Sequence, residues 1–325
     1  MANLFLTKTC NRDCQFCFAK IGPWSDDYQA RPLKIEEVQE FIELPTTESR
    51  PECGIVGGEP LLHPDLPEII TLLSSHNVVP KIFTSGTCPI PDTLPELLES
   101  NFYFVVNAHP REAYSQEEWH HLKIFFQTFS TKVKLGYTIL DPQYDPSFLL
   151  DYYQQFSLQP FLRIGIALPV ATGENEFVSK EMYRDVAVRF IDLAEKAADC
   201  GILLGMDCGF VACMFTTAEI GLLQRIGVKP NFSCKPVIDV GPDLEAWHCF
   251  PLSNMKRVPI RQHRSVMNVY KAFQEKADHI RDHVSRGIYG RCQECRYFER
   301  SQCSGGCLGL ILYEHGIERE SISRL

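Results

Sequence analysis

The sequence predicts an α/β fold built on a parallel sheet and followed by a small cysteine-rich region, and three observations carry that expectation. Short apolar runs of strand length recur through the first two-thirds of the chain. Segments with apolar residues every three or four positions separate them. Beyond about residue 207 the alternation stops, and eight of the fourteen cysteines follow.

The elements follow in order. Asn3 to Thr7, with Leu4, Phe5 and Leu6, reads as a first buried strand. Further strands are expected at Cys53–Val56, Pro80–Thr84, Tyr103–Asn107, Lys132–Leu140, Phe161–Leu168 and Ile202–Met206, each short and apolar. Helices are expected between them at Lys34–Leu44, Asp65–Ser75, Thr93–Ser100, Ser115–Phe129, Pro146–Gln155 and Ser179–Asp199. In the last, Met182, Val186, Phe190, Leu193 and Ala197 fall on one stripe. Such alternation means βαβ units and a parallel sheet. Downstream, residues 236 to 248 read as two short strands around Gly241-Pro242-Asp243, and a long helix covers Ser265–Ser285. A division into residues 1–206 and 207–325 follows.

Composition narrows the function. The 325 residues are 45% hydrophobic and 22% charged, ordinary for a globular enzyme. The net charge of −9 argues against nucleic acid as the main partner, because neutralising phosphates needs a basic surface. No run is long enough to span a bilayer and no secretory signal opens the chain, so a cytoplasmic location is expected, where thiols stay reduced.

Cys10, Cys14 and Cys17 lie at intervals of four and three in a loop leaving the first strand. Thiolates are the soft, anionic ligands that iron–sulfur clusters take, and this spacing lets one loop wrap one [4Fe–4S] cube with one iron left open. Zinc is the competing reading, but it wants a fourth Cys or His nearby, and none occurs between Cys17 and Cys53. A disulfide framework fits worse, since the cysteines are too sparse for a stapled scaffold.

The CxxxCxxC pattern, with Phe16 before its last cysteine, resembles the signature of the radical S-adenosylmethionine (radical SAM) enzymes, and Gly57-Gly58-Glu59-Pro60 resembles their GGEP motif. The resemblance implies a partial (β/α)6 barrel with its chemistry at the C-terminal strand ends. It implies that the open iron chelates SAM and that the neighbourhood of Phe16 packs on the adenine. The glycines are expected to let backbone approach the ligand, and Glu59 to accept from the SAM ammonium. Ser85, Asn107, Thr138, Arg163 and Leu168, at or near strand ends, are the further expected SAM contacts. Helix capping competes for the hydroxyls and a surface ion pair for the arginine. Asp207 and Cys208, after the last barrel strand, are the expected base and hydrogen donor, against a turn carboxylate and a packed thiol.

The tail resembles the SPASM domain of many radical SAM enzymes, which holds two auxiliary [4Fe–4S] clusters; a single-cluster "twitch" arrangement is the alternative. Carried over by position, Cys234, Cys249 and Cys307 would serve the first cluster, with Cys213 as fourth ligand. Cys292, Cys295 and Cys303 would serve the second. No cysteine follows Cys307, so its fourth position is expected to be open, or filled by Glu314, His315 or Cys208. A zinc knuckle of Cys292, Cys295, Cys303 and Cys307 competes. Cys53, Cys88 and Cys200 are read as buried small hydrophobes.

By resemblance, the chain cleaves SAM reductively to a 5′-deoxyadenosyl radical that abstracts hydrogen from a substrate, with flavodoxin or ferredoxin as electron donor. SPASM enzymes act mostly on peptides and proteins by crosslinking, epimerisation or oxidation, so a peptide or protein side chain is the expected target. The formylglycine-forming branch places Asp after the hairpin cysteine, where this chain has Phe250. With the first strand at Asn3, leader recognition is expected from a separate protein. A dehydrogenase of an aminocyclitol or sugar is the alternative, and a non-catalytic redox sensor the alternative of another class.

Overall fold

A computed structural model of the chain describes residues 2–20, 31–45, 52–143, 145–171, 175–253, 255 and 257–316; the last nine residues assigned to the C-terminal region lie outside that set. The strands β1 (Asn3–Phe5), β2 (Glu52–Val56), β3 (Val79–Thr84), β4 (Tyr103–Asn107), β5 (Val133–Ile139), β6 (Phe161–Ile166) and β7 (Leu203–Met206) pair in sequence order, all parallel. Between them run helices α1 (Ile35–Ile42), α2 (Leu66–Ser75), α3 (Gln116–Phe129), α4 (Phe148–Phe156) and α5 (Tyr183–Asp199). α6 (Thr217–Arg225) follows β7. This is the expected α/β frame. One crossover differs: the helix expected over 93–100 is a 3-10 turn, Leu94–Leu97. That stretch is too short for a cooperative α-helix, and Pro95 removes a donor.

Local chemistry sets the boundaries. Ser115 caps α3 by accepting from the Glu118 amide, while Glu118 accepts from the Ser115 amide. Thr216 and Glu219 repeat the arrangement on α6. In α5 the buried set includes Val186, Phe190, Leu193 and Ala197, as the stripe requires, while Met182 closes the 3-10 turn before it.

The sheet curls. Strands three apart in a flat sheet would be about 14 Å from each other, yet the Arg163 guanidinium of β6 lies 4.8 Å from the ring centre of Phe83 on β3. Those side chains meet across a concave inner face. The outer face packs on the helices through residues such as Leu4, Ile55, Ile82 and Phe104 in one continuous core.

The tail joins this sheet, which the sequence pattern did not reveal. β8 (Asp239–Val240) and β9 (Glu245–Trp247) form the expected hairpin, and β10 (Val258–Pro259) extends it. β8 also pairs in parallel with β1, Asn3 opposite Asp239, giving a ten-stranded order β10-β9-β8-β1 through β7 among the described residues. α7 (Val266–His283), α8 (Arg296–Glu299) and α9 (Leu308–Glu314) complete the fold.

Candidate active site

Parallel strands deliver their C-terminal ends to one edge, and the cysteine loop leaves β1 there. The loop's stem is docked on the Gly57-Gly58 turn after β2. The Gly58 amide donates to the Thr7 carbonyl at 2.6 Å and the Glu59 amide to that of Thr9 at 2.8 Å. A Cβ on Gly58 would stand 2.3 Å from the Thr9 carbonyl oxygen, and one on Gly57 2.8 Å from that of Thr7. These glycines therefore admit the backbone that carries the cysteines, rather than only a ligand.

Glu59 departs from its expected role. Its carboxylate is 1% exposed and accepts from the Leu61 amide, the Thr84 hydroxyl at 2.6 Å, and the amide and hydroxyl of Ser85 at 2.8 and 2.7 Å. Four protein donors occupy both oxygens, so it ties the end of β3 to β2 instead of facing a SAM ammonium. Pro60 is buried and opens the 3-10 turn that Glu59 caps. Ser85 passes the network to Thr87, which accepts from the Asn11 amide group of the cysteine loop at 3.0 Å.

Cys10 is exposed, and Cys14 and Cys17 are half-buried. The Cys10 sulfur accepts from the Arg12 amide, and the Arg12 guanidinium is anchored by Glu118 at 2.8 Å and stacked over Tyr114. Three thiols on an open loop whose flanks are pinned at both ends suit a cluster held from one side. Phe16 is half-buried with its ring 6.0 Å from that of His109, and burial beside Arg12 pushes the His109 imidazole down to about 4, so it is neutral near pH 7. The Phe16 carbonyl and the Leu168 carbonyl both accept from the side chain of Asn175. Asn175 is buried, joins the β6 exit to the cysteine loop, and was missed because nothing in its spacing marks it.

Asn107 ends β4, and its side-chain oxygen lies 3.5 Å from the Thr138 hydroxyl on β5. Leu168 is buried just beyond β6. Arg163 does not sit at the edge: paired with Gly136, two residues before Thr138, it lies deeper in the sheet and holds Asp207 at 2.6 Å. Its fork is therefore engaged by a carboxylate of this chain, in place of the expected SAM carboxylate. Lys81 and Glu52, 3.7 Å apart, share this polar floor, and burial, with Arg163 nearby, pushes the Lys81 ammonium down.

The opposite wall is aromatic. Phe5, Trp247 and Phe250 pack together, and Phe18 stacks on Phe250, so the tail buttresses the segment after Cys17. An open cleft of about 530 Å³ lies beside the loop, lined by Leu140, Asp141, Pro142, Asn175, Glu176 and Phe177.

The tail cysteines fall into two groups that differ from the expected ones. Cys213, Cys292, Cys295 and Cys303 line one small enclosed space. Cys307 is not among them; it lies close to Cys234 and Cys249 instead, and Cys208 lies close to Cys234 and Cys307. Burial first, and neighbouring thiols second, push the thiols of Cys249 and Cys307 up, whereas Cys208 is exposed in the turn after β7. Glu314 is engaged by Lys180 at 2.7 Å, and His315 caps the end of α9. Cys53 and Cys88 are buried as expected, each pushed up to about 12 by burial, but Cys200 is exposed at the end of α5. Among the described residues no disulfide forms, no three His, Cys, Asp or Glu side chains converge as on a single ion, and no helix is long and apolar enough to cross a membrane.

Residues 4–129 match the Radical SAM superfamily. Residues 4–129 thus carry a radical SAM domain, the class that cleaves SAM with a [4Fe–4S] cluster. Over 74 residues, 22% of the chain, it is 35% identical to 7,8-dihydro-6-hydroxymethylpterin dimethyltransferase of Methanocaldococcus jannaschii; that stretch spans only 14% of the relative. The whole fold is similar to anSMEcpe with bound AdoMet (S-adenosylmethionine), at a TM-score of 0.66 and 16% identity, covering 98% of this chain and 92% of that one. It is likewise similar to Streptococcus suis SuiB bound to the precursor peptide SuiA, at a TM-score of 0.65 and 13% identity, covering 100% and 75%. A further structure of anSMEcpe, with AdoMet and the Cp18Cys peptide, gives a TM-score of 0.67 at 16% identity, covering 98% and 96%.

Proposed function

We propose that the protein is a radical SAM maturase that removes a hydrogen from a peptide or protein side chain, with a low-potential flavodoxin or ferredoxin as reductant. The observation that carries this reading is the cysteine loop: Cys10, Cys14 and Cys17 stand on a stem docked against Gly57-Gly58, beside the ends of β3, β4 and β5. Bound there, the cluster and SAM supply reductive cleavage of SAM and the radical that takes the hydrogen.

The chain's own residues do the rest. Asn11 and Arg12 fix the loop to its surroundings through Thr87 and Glu118. Phe16 and neutral His109 supply an apolar flank for an adenine, and Ser85, Asn107, Thr138 and the Leu168 carbonyl neighbourhood supply its polar contacts. Asp207, oriented by Arg163, is the candidate base for a substrate proton. The open cleft beside Asn175 is the candidate place for a peptide segment. The tail cysteines hold two auxiliary clusters. Peptide-bound relatives of the same fold support the substrate class.

Anaerobic reconstitution with dithionite and SAM tests the chemistry: 5′-deoxyadenosine is expected, and its absence overturns the reading. Co-expression with short open reading frames beside the gene, followed by mass spectrometry, tests the substrate. A mass change dependent on Cys14 is expected; turnover of a sugar or aminocyclitol with no peptide change overturns it. Asp207→Asn is expected to keep SAM cleavage and lose product, and unchanged product sinks the base assignment.

A further inference from the structure

We propose that Cys213, from the turn after the last barrel strand, is the fourth ligand of the second auxiliary cluster with Cys292, Cys295 and Cys303. The inference rests on the reading that the tail holds two clusters. It exchanges the cluster that Cys213 serves relative to what position along the chain suggests, and it leaves the second cluster with no open iron.

The enclosed space lined by Cys213, Cys292, Cys295 and Cys303 has apolar walls that include Ile288 and Tyr297. Four thiols around one water-poor space are the donor set of an iron–sulfur cube, which takes each thiolate on a separate iron, so the sulfurs need not meet at one point. The turn Ala212–Met214 that carries Cys213 lies against the tail: the Ala212 and Gly305 amides lie near the Cys303 sulfur, and the Arg291 guanidinium near that of Cys213. Donors aimed at ligand sulfurs stabilise the thiolate form and tune a cluster's potential.

The backbone between Cys303 and Cys307 explains why these neighbours part. Gly305 and Gly306 take φ of +79° and +98°, and a Cβ on Gly305 would stand 2.1 Å from the Arg286 carbonyl oxygen. This left-handed turn reverses the chain and sends Cys307 toward Cys234 and Cys249. Ser304 fixes the reversal by accepting from the Cys234 amide at 2.5 Å and donating its own amide to the Phe232 carbonyl, and Arg281 binds the Ser304 carbonyl at 2.7 Å. The ligand absent after Cys307 is thus supplied from before the hairpin.

A crossed pair of double variants of the full chain, reconstituted anaerobically with iron and sulfide and assayed for iron, sulfide and zinc, tests this without reference to activity. Three cubes give about twelve irons in the wild type. Cys213→Ala/Cys303→Ala strikes one cluster and is expected to retain about eight, whereas Cys213→Ala/Cys249→Ala strikes two and retains about four. The reverse pattern overturns the exchange. About eight irons or fewer in the wild type overturns the two-cluster reading on which it rests, and about eight with one zinc overturns the identity of the second site. Where a double variant fails to fold, electron paramagnetic resonance of Cys213→Ser decides: it is expected to perturb the signal that Cys303→Ser perturbs, and perturbing the Cys249→Ser signal instead overturns the proposal.

Discussion

The N-terminal cysteine loop and the C-terminal cysteines hold thiols in opposite ways. Cys10, Cys14 and Cys17 lie within eight residues on an accessible loop, and their grouping follows from spacing alone. The tail cysteines come from the turns after β7, the hairpin flanks and the segment before α9, and Cys292, Cys303 and Cys307 are buried. Local sequence therefore defines the first site, and tertiary structure defines the others. Even the local loop has a long-range dependence, because its stem sits on Gly57-Gly58 with no room for a side chain.

Four changes probe that contrast, from the largest effect to the smallest. Cys14→Ala removes one of the three expected cluster ligands, so 5′-deoxyadenosine formation is expected to fall to the enzyme-free background in an anaerobic assay. Gly58→Ala forces a methyl group against the Thr9 carbonyl and is expected to cost about 3 kcal/mol in urea unfolding and to lower iron occupancy. Unchanged stability would break the claim that the loop's stem is docked there.

Asp239→Asn probes the junction of the two regions, where the Asn3 amide group donates to Asp239 across the β1–β8 pair at 2.7 Å. Burial pushes the Asp239 carboxyl up to about 7 from 3.8, so the native state keeps a proton that the unfolded chain releases in that interval. Its contribution to stability is complete below about pH 4 and is lost as pH rises through 7. The Asn variant is expected to melt higher than wild type at pH 8, by on the order of 2 kcal/mol, and to show little difference at pH 4. Arg184→Ala breaks a half-exposed ion pair with Glu219 and a hydrogen bond to the Met214 carbonyl, and is expected to shift chemical denaturation by about 1 kcal/mol or less.

The strands and most crossovers were legible because each apolar run and each α-helical stripe reports its own burial. Tyr103–Asn107 matches its expected span, and β2, β3 and β7 shift by one residue. The helix over 93–100 failed because its residues are helical only by composition. At the site, the motifs were legible but the roles of their side chains were not. Glu59 looked like a ligand group until Thr84 and Ser85, 25 and 26 residues away, took up its oxygens. Arg163 looked available for a carboxylate until the curl of the sheet supplied Asp207. The partition of the tail cysteines was illegible for the same reason: a CxxxC spacing says nothing about a left-handed Gly305-Gly306 turn that separates its two ends.

The central claim is that the two regions hold iron independently, one to start the chemistry and one as an auxiliary store. Iron per chain in the anaerobically reconstituted triple variant Cys10→Ala/Cys14→Ala/Cys17→Ala tests it most directly. The account predicts that about eight of about twelve irons remain. Retention of none, or of the full wild-type content, would contradict it.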